Sequence, residues 1–385
     1  MGTQPHKPRV LLFSQRNIFG KEMFRFPHYE FENLISQIDS VELVAPKADP
    51  SSLRYKFAKQ FRYHVPISPN PGIQRIRFKQ HYDLFFAVCG TPKDLLMVDA
   101  VGNWRDNCKS SVCLIDEFWA NQIAPYHSFL RILEKFDVVM LYYSQTVKPL
   151  SERIGSKCIF LAPGIDTAFF CPYPEQPSRV VDVYSIGRRA ERTHQQLLKM
   201  AAGDGLFYLH DSIAGGNAID SAEHRALFAN VAKRSRYFLV NPGLIDRQDV
   251  RGNQIEASNR YYEGAASGMI LVGERPDNEV FDKLFDWPDA LIHLPYNSSD
   301  IDKIINELDQ QPERQDRIRR TNVAQALMRH DWVYRWEAVL KTVGLEPMPE
   351  LLQRKERLKN LAEAVLQNET TRTRDASERD KSVTV

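Results

Sequence analysis

The sequence predicts an α/β protein of two domains, each built on a parallel sheet. Three observations carry that expectation. At 385 residues the chain exceeds what one hydrophobic core comfortably serves, so two domains of ordinary size are expected. Short apolar runs alternate with amphipathic stretches, the pattern of strands joined by crossover helices. A stretch carrying Pro172, Pro174 and Pro177 divides this series in two and reads as a stiff linker. The expected division is 1–170, a linker at 171–179, a second unit at 180–345, a helix at 346–366 and a tail at 367–385.

The first unit opens on Arg9-Val10-Leu11-Leu12-Phe13-Ser14, a buried strand, and a loop from Gln15 to Lys21. A helix over about 29–36 follows, with Phe31, Leu34 and Ile35 on its apolar side, and Val41 to Pro46 is the next strand. Strand, helix and strand make a βαβ unit, whose parallel sheet presents ligands at the carboxyl ends of its strands. Asp49 to Pro71 is rich in Arg, Lys and Pro and reads as loop plus one helix, and Tyr82–Val88 as a strand. Ser111–Ile115 is a strand that delivers Asp116 and Glu117 to its carboxyl end. Two readings stand level there: acids with a catalytic role in a cleft, or Asp116 as a helix cap with Glu117 in the first turn. Asp137–Ser144 and Cys158–Ala162 are the remaining strands, with a helix at 147–154 between them.

The second unit begins with Val181–Gly187, a strand ending on a glycine turn. Glycine there allows close approach of a ligand, and arginine forks suit phosphate oxygens, so Gly187, Arg188 and Arg189 are diphosphate candidates; either arginine also reads as a solvated surface residue. Arg192 equally reads as facing outward. His210, at the end of strand Leu206–Asp211, reads first as structural. A helix at 222–235 leads to strand Tyr237–Val240, which ends at Asn241-Pro242-Gly243. Ser258 or Asn259 then caps a short helix carrying Arg260 and Glu263, and Gly268 stops it before the buried strand Met269–Val272. The free N–H groups and positive dipole end of that helix make a place for a diphosphate, and a carboxylate fixed on its first turns can accept two hydroxyl hydrogen bonds, as ribose offers. The plainer reading is ordinary capping with a solvated Glu263. Ala290–Leu294 is a late strand. Asp300-Ile301-Asp302 has the spacing of a metal-binding pair but begins a helix, where first-turn acids are explained by the dipole, and no metal site is assigned.

Asn241-Pro242, Arg260, Glu263, Ala265-Ala266-Ser267-Gly268 and Gly273-Glu274 together resemble the donor-binding half of group 1 glycosyltransferases of GT-B fold, in the flavour of the branch that includes CgeB-like spore-maturation proteins. The likeness runs loosely from Val10 to Gly344 and is specific from Val181 onward. It implies GT-B architecture: two Rossmann-like domains whose parallel sheets face a cleft. It also implies Glu263 on the nucleotide ribose, the amides of the preceding loop on the diphosphate, and Asn241, Ser258, Asn259 and Arg260 within the donor site. Pro163-Gly164-Ile165-Asp166 resembles the family's element at the inter-domain crossing, and His330-Asp331-Trp332 with Arg335-Trp336 its late aromatic helix, read as core packing. The insert Leu244–Ala257 is expected to close over the donor. Many relatives carry a second glutamate eight positions before Glu263; Ile255 stands there with Glu256 beside it, which leaves that glutamate's duty open. Many also present a histidine near the site of Asp116 and Glu117, either of which replaces it. Such relatives generally need no metal, so no cofactor is expected and the nucleotide sugar is substrate.

Composition adds limits. A hydrophobic content of 43% and an aromatic content of 11% suit a soluble globular enzyme, and a formal charge of +2 gives no reason to expect nucleic acid. Five cysteines form no CxxC pair and read as packing residues in a reducing cytosol. Met1 to Arg9 lacks the apolar segment of a secretory signal, so a cytoplasmic location is expected, with peripheral membrane contact compatible. Leu351, Leu358, Leu361 and Val365 line one face of the 349–366 stretch, which suits docking on a surface or a partner helix, and hence an oligomer. The polar tail from Gln367 is expected to be disordered.

The resulting expectation is a glycosyltransferase that uses a nucleotide sugar, UDP favoured over GDP, with retention of anomeric configuration as the resemblance implies. The acceptor is unassigned: saccharide, lipid-linked or small molecule, with Arg16, Asn17 and Lys21 as candidate contacts or solvated loop residues. If the reaction inverts, Asp116 or Glu117 takes the acceptor proton. The alternatives are a sugar-nucleotide epimerase of the same fold and an inactive scaffold or partner protein. The missing first glutamate favours the scaffold, and the retained Glu263 and Arg260 oppose it.

Overall fold

The computed structural model describes residues 7–211 and 216–382, with side chains through 367; most of the polar Met1–Arg9 stretch and the last three residues of the expected tail lie outside these. Six strands form the first sheet: β1 (Val10–Phe13), β2 (Val41–Val44), β3 (Tyr82–Cys89), β4 (Cys108–Ile115), β5 (Val138–Leu141) and β6 (Lys157–Phe160). Their order is β2-β1-β3-β4-β5-β6, and every pairing is parallel. β7 (Val181–Ser185), β8 (Tyr208–His210), β9 (Ser235–Val240), β10 (Ile270–Gly273) and β11 (Ile292–His293) form the second, in the order β11-β10-β9-β7-β8, again parallel throughout. The central strands are covered on both faces, which is why β1 and β10 read as unbroken apolar runs. In each sheet the strand order reverses beside the first strand, between β1 and β3 and between β7 and β9, the crevice where open α/β sheets bind ligands.

Eight helices enter the argument: α1 (Phe26–Ile38), α2 (Leu53–His64), α3 (Ser144–Ile154), α4 (Ser221–Lys233), α5 (Asn259–Ala266), α6 (Pro312–Arg329), α7 (Trp332–Val343) and α8 (Pro349–Ser382). No apolar periodicity in the sequence predicts α6.

Although α7 falls in the span expected for the second unit, it packs against the first. Trp332 stacks on Phe31 of α1 at 4.7 Å, and Trp336 meets Phe86 of β3 at 5.3 Å while its indole N–H donates to Asp39. Large indoles bury best against the widest apolar face within reach, here the helix side of the first sheet. The apolar face of α8 follows: Leu351, Leu358, Ala362 and Val365 are fully buried in that same core. The amphipathic stretch expected to dock on a partner therefore spends its face within the chain. Asp331 ties the return in place, accepting from Thr167 and from Arg354 of α8, whose guanidinium also reaches Asp166.

The backbone of α8 continues to Ser382, where the sequence reading expects disorder.

Candidate active site

The carboxyl ends of both sheets open on one cleft, formed by two adjoining cavities of about 350 and 300 Å³. That is enough room for a small-molecule ligand of nucleotide size. Its second-domain wall comes from the turn after β7, Asn241-Pro242-Gly243 after β9, and the start of α5. Asp116, Glu117 and Tyr143 stand on the opposite wall.

Ser258 occupies the cap position of α5 as the sequence predicts, but its side chain does not cap the helix. The hydroxyl instead donates to the Asn241 carbonyl at 2.9 Å, tying the β9 turn to the helix start. The leading end of α5 is thus left without a side-chain partner where Ser258, Asn259 and Arg260 line the cleft, and an anion there would take the place of the cap.

The side chain of Arg260 lies against the β7 turn. Gly187 has φ +86°, and a Cβ added to it would sit 2.2 Å from Arg260 Nη2, so both the backbone and the guanidinium require glycine. Asp211 accepts the Gly187 N–H at 2.8 Å and fixes the turn. Arg260 lines both cavities, and its buried Nε has no protein partner among the described residues.

The two arginines of the same turn separate. Arg188 lines the second cavity, half-exposed, with Asp246 at 3.2 Å. Arg189 is exposed and turns away toward His210 Nδ1 at 3.5 Å, so it does not join the cleft. His210 packs with Tyr208 and His194 at the sheet edge, as its structural reading holds.

Glu263 is buried rather than solvated. Its Oε1 pairs with Arg225 of α4, among the described residues no protein hydrogen bond engages Oε2, and the residue lines the first cavity. Arg225 also holds Glu30 of α1 at 2.9 Å. Glu30 in turn accepts from the Asp166 amide at 2.7 Å and the Trp332 indole at 2.8 Å. A buried line of alternating charge, Glu263–Arg225–Glu30, thereby crosses from one domain to the other. Burial opposes the Arg225 cation, but the Glu30 and Glu263 carboxylates outweigh it and raise its pKa. Burial pushes the Glu30 carboxyl above its usual range, with Arg225 pulling the other way.

On the first-domain wall, no helix begins at Asp116, so the capping reading does not apply; a short turn starts only at Ala120. Asp116 Oδ2 lies 2.7 Å from His28 Nε2 of α1. Glu117 accepts the Trp119 indole N–H at 3.2 Å, and burial pushes its carboxyl above the usual range. Both acids line the first cavity, which Glu263 and Arg260 also line.

The insert 244–257 clasps the first domain. Gln254 accepts the Ala120 amide at 2.9 Å, and Asn121 donates to the Val250 carbonyl at 2.9 Å. Glu256 is buried and accepts from the Gln145 amide at 3.1 Å, placing its charge at the start of α3. The glutamate beside Ile255 therefore serves the domain contact and lines neither cavity of the cleft. Gly243, Leu244 and Ile245 carry the start of this segment along the cleft rim.

Arg16, Asn17 and Lys21 lie apart from the cleft, beside a separate surface recess of about 440 Å³. Arg16 is held by Glu32 at 2.8 Å, and Asn17 donates to the Ala45 carbonyl. Asp300 is exposed and bonded to Ser298 and Lys303. Among the described residues no group of three or more His, Cys, Asp or Glu is placed to hold a metal ion, and no helix is long and apolar enough to cross a membrane.

Sequence reasoning missed His28, Glu30 and Arg225. Each is a charged or polar residue on a helix with no motif around it, and its partner lies at least 38 positions away.

Two parallel Rossmann-like sheets facing a cleft make this a GT-B fold, the architecture shared by solved glycosyltransferase structures. Residues 188–341 match the family described as glycosyl transferase-like, a span that holds the β7 turn arginines and α5. The chain is similar in structure to Anabaena Alr3699/HepE in complex with UDP and glucose, at 13% identity over 88% of this chain and 99% of that one, TM-score 0.51. It is also similar to a UDP-forming α,α-trehalose-phosphate synthase from Burkholderia xenovorans, at 9% identity over 88% and 99%, TM-score 0.52. An α-glucosyltransferase in complex with UDP and a 13-mer DNA aligns at 12% identity over 88% and 100%, TM-score 0.50. No curated protein sequence matches the chain.

Proposed function

We propose that the chain is a glycosyltransferase that moves a sugar from a UDP-sugar to an acceptor bound against the first domain. One observation carries the reading: the uncapped start of α5, with Arg260 beside it, faces Asp116 and Glu117 across the cleft. The match at 188–341 and the UDP complexes of similar fold support it. The motif set around Asn241, Arg260 and Glu263 supports the CgeB-like branch.

In this reading the diphosphate sits on the α5 amides and Arg260, which stabilise the charge that builds on the leaving group as the glycosidic bond breaks. No metal is required for that task. Glu263 Oε2 accepts the ribose hydroxyls while Arg225 holds the carboxylate in place. Asp116 and Glu117 take hydrogen bonds from the acceptor hydroxyl, with Asp116 oriented by His28. Retention is the outcome the resemblance favours. A second outcome, inversion with Asp116 as base, is favoured by the hold of His28 on a cleft-facing carboxylate.

The test is thermal unfolding of the purified chain against UDP, GDP, ADP and CMP. A nucleotide at about a hundred times its Kd stabilises by about 2.7 kcal/mol, and each kcal/mol moves Tm by about 2–4 °C for domains of this size. UDP alone giving such a shift, lost in Glu263→Ala, supports the reading; no shift with any nucleotide sinks it. The anomer of the transfer product, read by NMR, separates retention from inversion.

A further inference from the structure

Phe24 lines both cavities of the cleft and is 43% exposed. Two other first-domain residues, Glu117 and Tyr143, also line both, opposite Ser258 and Arg260, so these side chains mark the middle of the cleft, where the two domains face each other. We infer that Phe24 is the platform on which the acceptor lies, and that the acceptor is an uncharged sugar ring. The inference rests on the proposed transfer and adds to it the class of acceptor.

The phenyl ring is exposed but fixed. The Arg25 guanidinium lies over it, 4.7 Å from the ring centre, and Arg25 is itself buried, held by Glu22 at 2.6 Å and by both oxygens of Asp94. A Cβ added to Gly90 would sit 3.0 Å from Phe24 Cε2, so the ring is also wedged against the turn after β3. The backbone on either side is tied to the other domain: the Met23 N–H donates to the Gly216 carbonyl at 2.8 Å, and the Ala218 N–H to the Lys21 carbonyl at 2.9 Å. A rigid aromatic side chain with an open side on a cavity is a ready-made contact surface for a ligand.

Charge narrows what lies on it. Among the described residues, the first domain contributes two acids to these cavities, Asp116 and Glu117, and no Lys or Arg; the cations there, Arg188, Arg225 and Arg260, all belong to the second domain. A phosphate or carboxylate on the acceptor would meet like charge on its own wall with nothing to offset it. A neutral sugar ring fits instead. Its C–H bonds form an apolar, weakly positive face suited to the negative face of a phenyl ring, and its rim hydroxyls can donate to Asp116 and Glu117.

The test is UDP release by the full chain from UDP-glucose, UDP-galactose or UDP-N-acetylglucosamine, in the presence of a panel of neutral mono- and oligosaccharides or of the same sugars carrying a phosphate. Stimulation by a neutral sugar, and by none of the phosphorylated ones, is expected. Phe24→Ala should raise the KM for that sugar about tenfold while the Kd for UDP, read by calorimetry, stays unchanged, and Phe24→Tyr, which restores a ring, should recover the parent KM. Stimulation by phosphorylated sugars, or by no sugar while UDP still binds, overturns the inference and leaves the donor site standing. So does a Phe24→Ala loss confined to UDP affinity, which would assign the ring to the nucleobase. Absence of UDP binding to the parent chain sinks the proposed transfer itself, and the inference with it.

Discussion

Arg225 of α4 binds Glu263 beside the cleft and Glu30 in the other domain with one buried guanidinium. Because Glu30 also takes the Asp166 amide and the Trp332 indole, the proposed ribose carboxylate is joined to the segments that connect the domains. In Arg225→Ala two buried carboxylates lose their counter-ion, and the loss is expected to cost about 3–5 kcal/mol. Denaturant unfolding measures it. Glu30→Gln, which leaves Arg225 one partner, should cost less.

Arg260→Ala removes a charged donor from the proposed diphosphate site. A hydrogen bond to a charged group is worth about 1.5–3 kcal/mol, so UDP affinity measured by calorimetry should fall roughly tenfold to a hundredfold. Unchanged affinity would remove Arg260 from the site.

Gly187→Ala acts on the same site from behind. It places a side chain at φ +86° and a Cβ against Arg260. The backbone strain alone is about 1–2 kcal/mol, and the displaced guanidinium should lower UDP affinity as well as Tm.

Asp116→Asn keeps the shape next to His28 and removes the charge. Loss of general acid–base assistance typically costs about a hundredfold or more. If the transfer inverts, turnover of the UDP-sugar should therefore fall by about that factor while UDP binding stays constant; with retention the loss should be smaller, that of one hydrogen bond to the acceptor. A variant that turns over normally would leave Glu117 as the acid that matters.

Glu117 provides a pH test. Burial raises its folded pKa, so the folded state holds this proton more tightly than the unfolded chain. Its contribution to stability is fully present below the unfolded pKa, about 4.3, and is lost as pH rises through the raised folded value. Glu117→Gln should therefore unfold at a higher temperature than the parent near neutral pH, and this advantage should vanish toward pH 4. Equal pH profiles would contradict it.

All eleven strands among the described residues lie where apolar runs mark them in the sequence, and Gly187, Asn241, Ser258, Arg260 and Glu263 converge on the cleft as their places at strand ends and a helix start imply. Such features are local: a buried parallel strand needs an unbroken apolar run, and a sheet's carboxyl edge follows from strand direction alone. What only the tertiary structure decided is pairing over distance. Arg189 turns from the cleft while Arg260 enters it, Glu256 reaches α3 across the domain gap, and Trp332 and Trp336 leave their own domain for the first. No spacing marks those choices. They are set by which buried charge finds a counter-charge and which indole finds an open apolar face, and both depend on residues far apart in the chain.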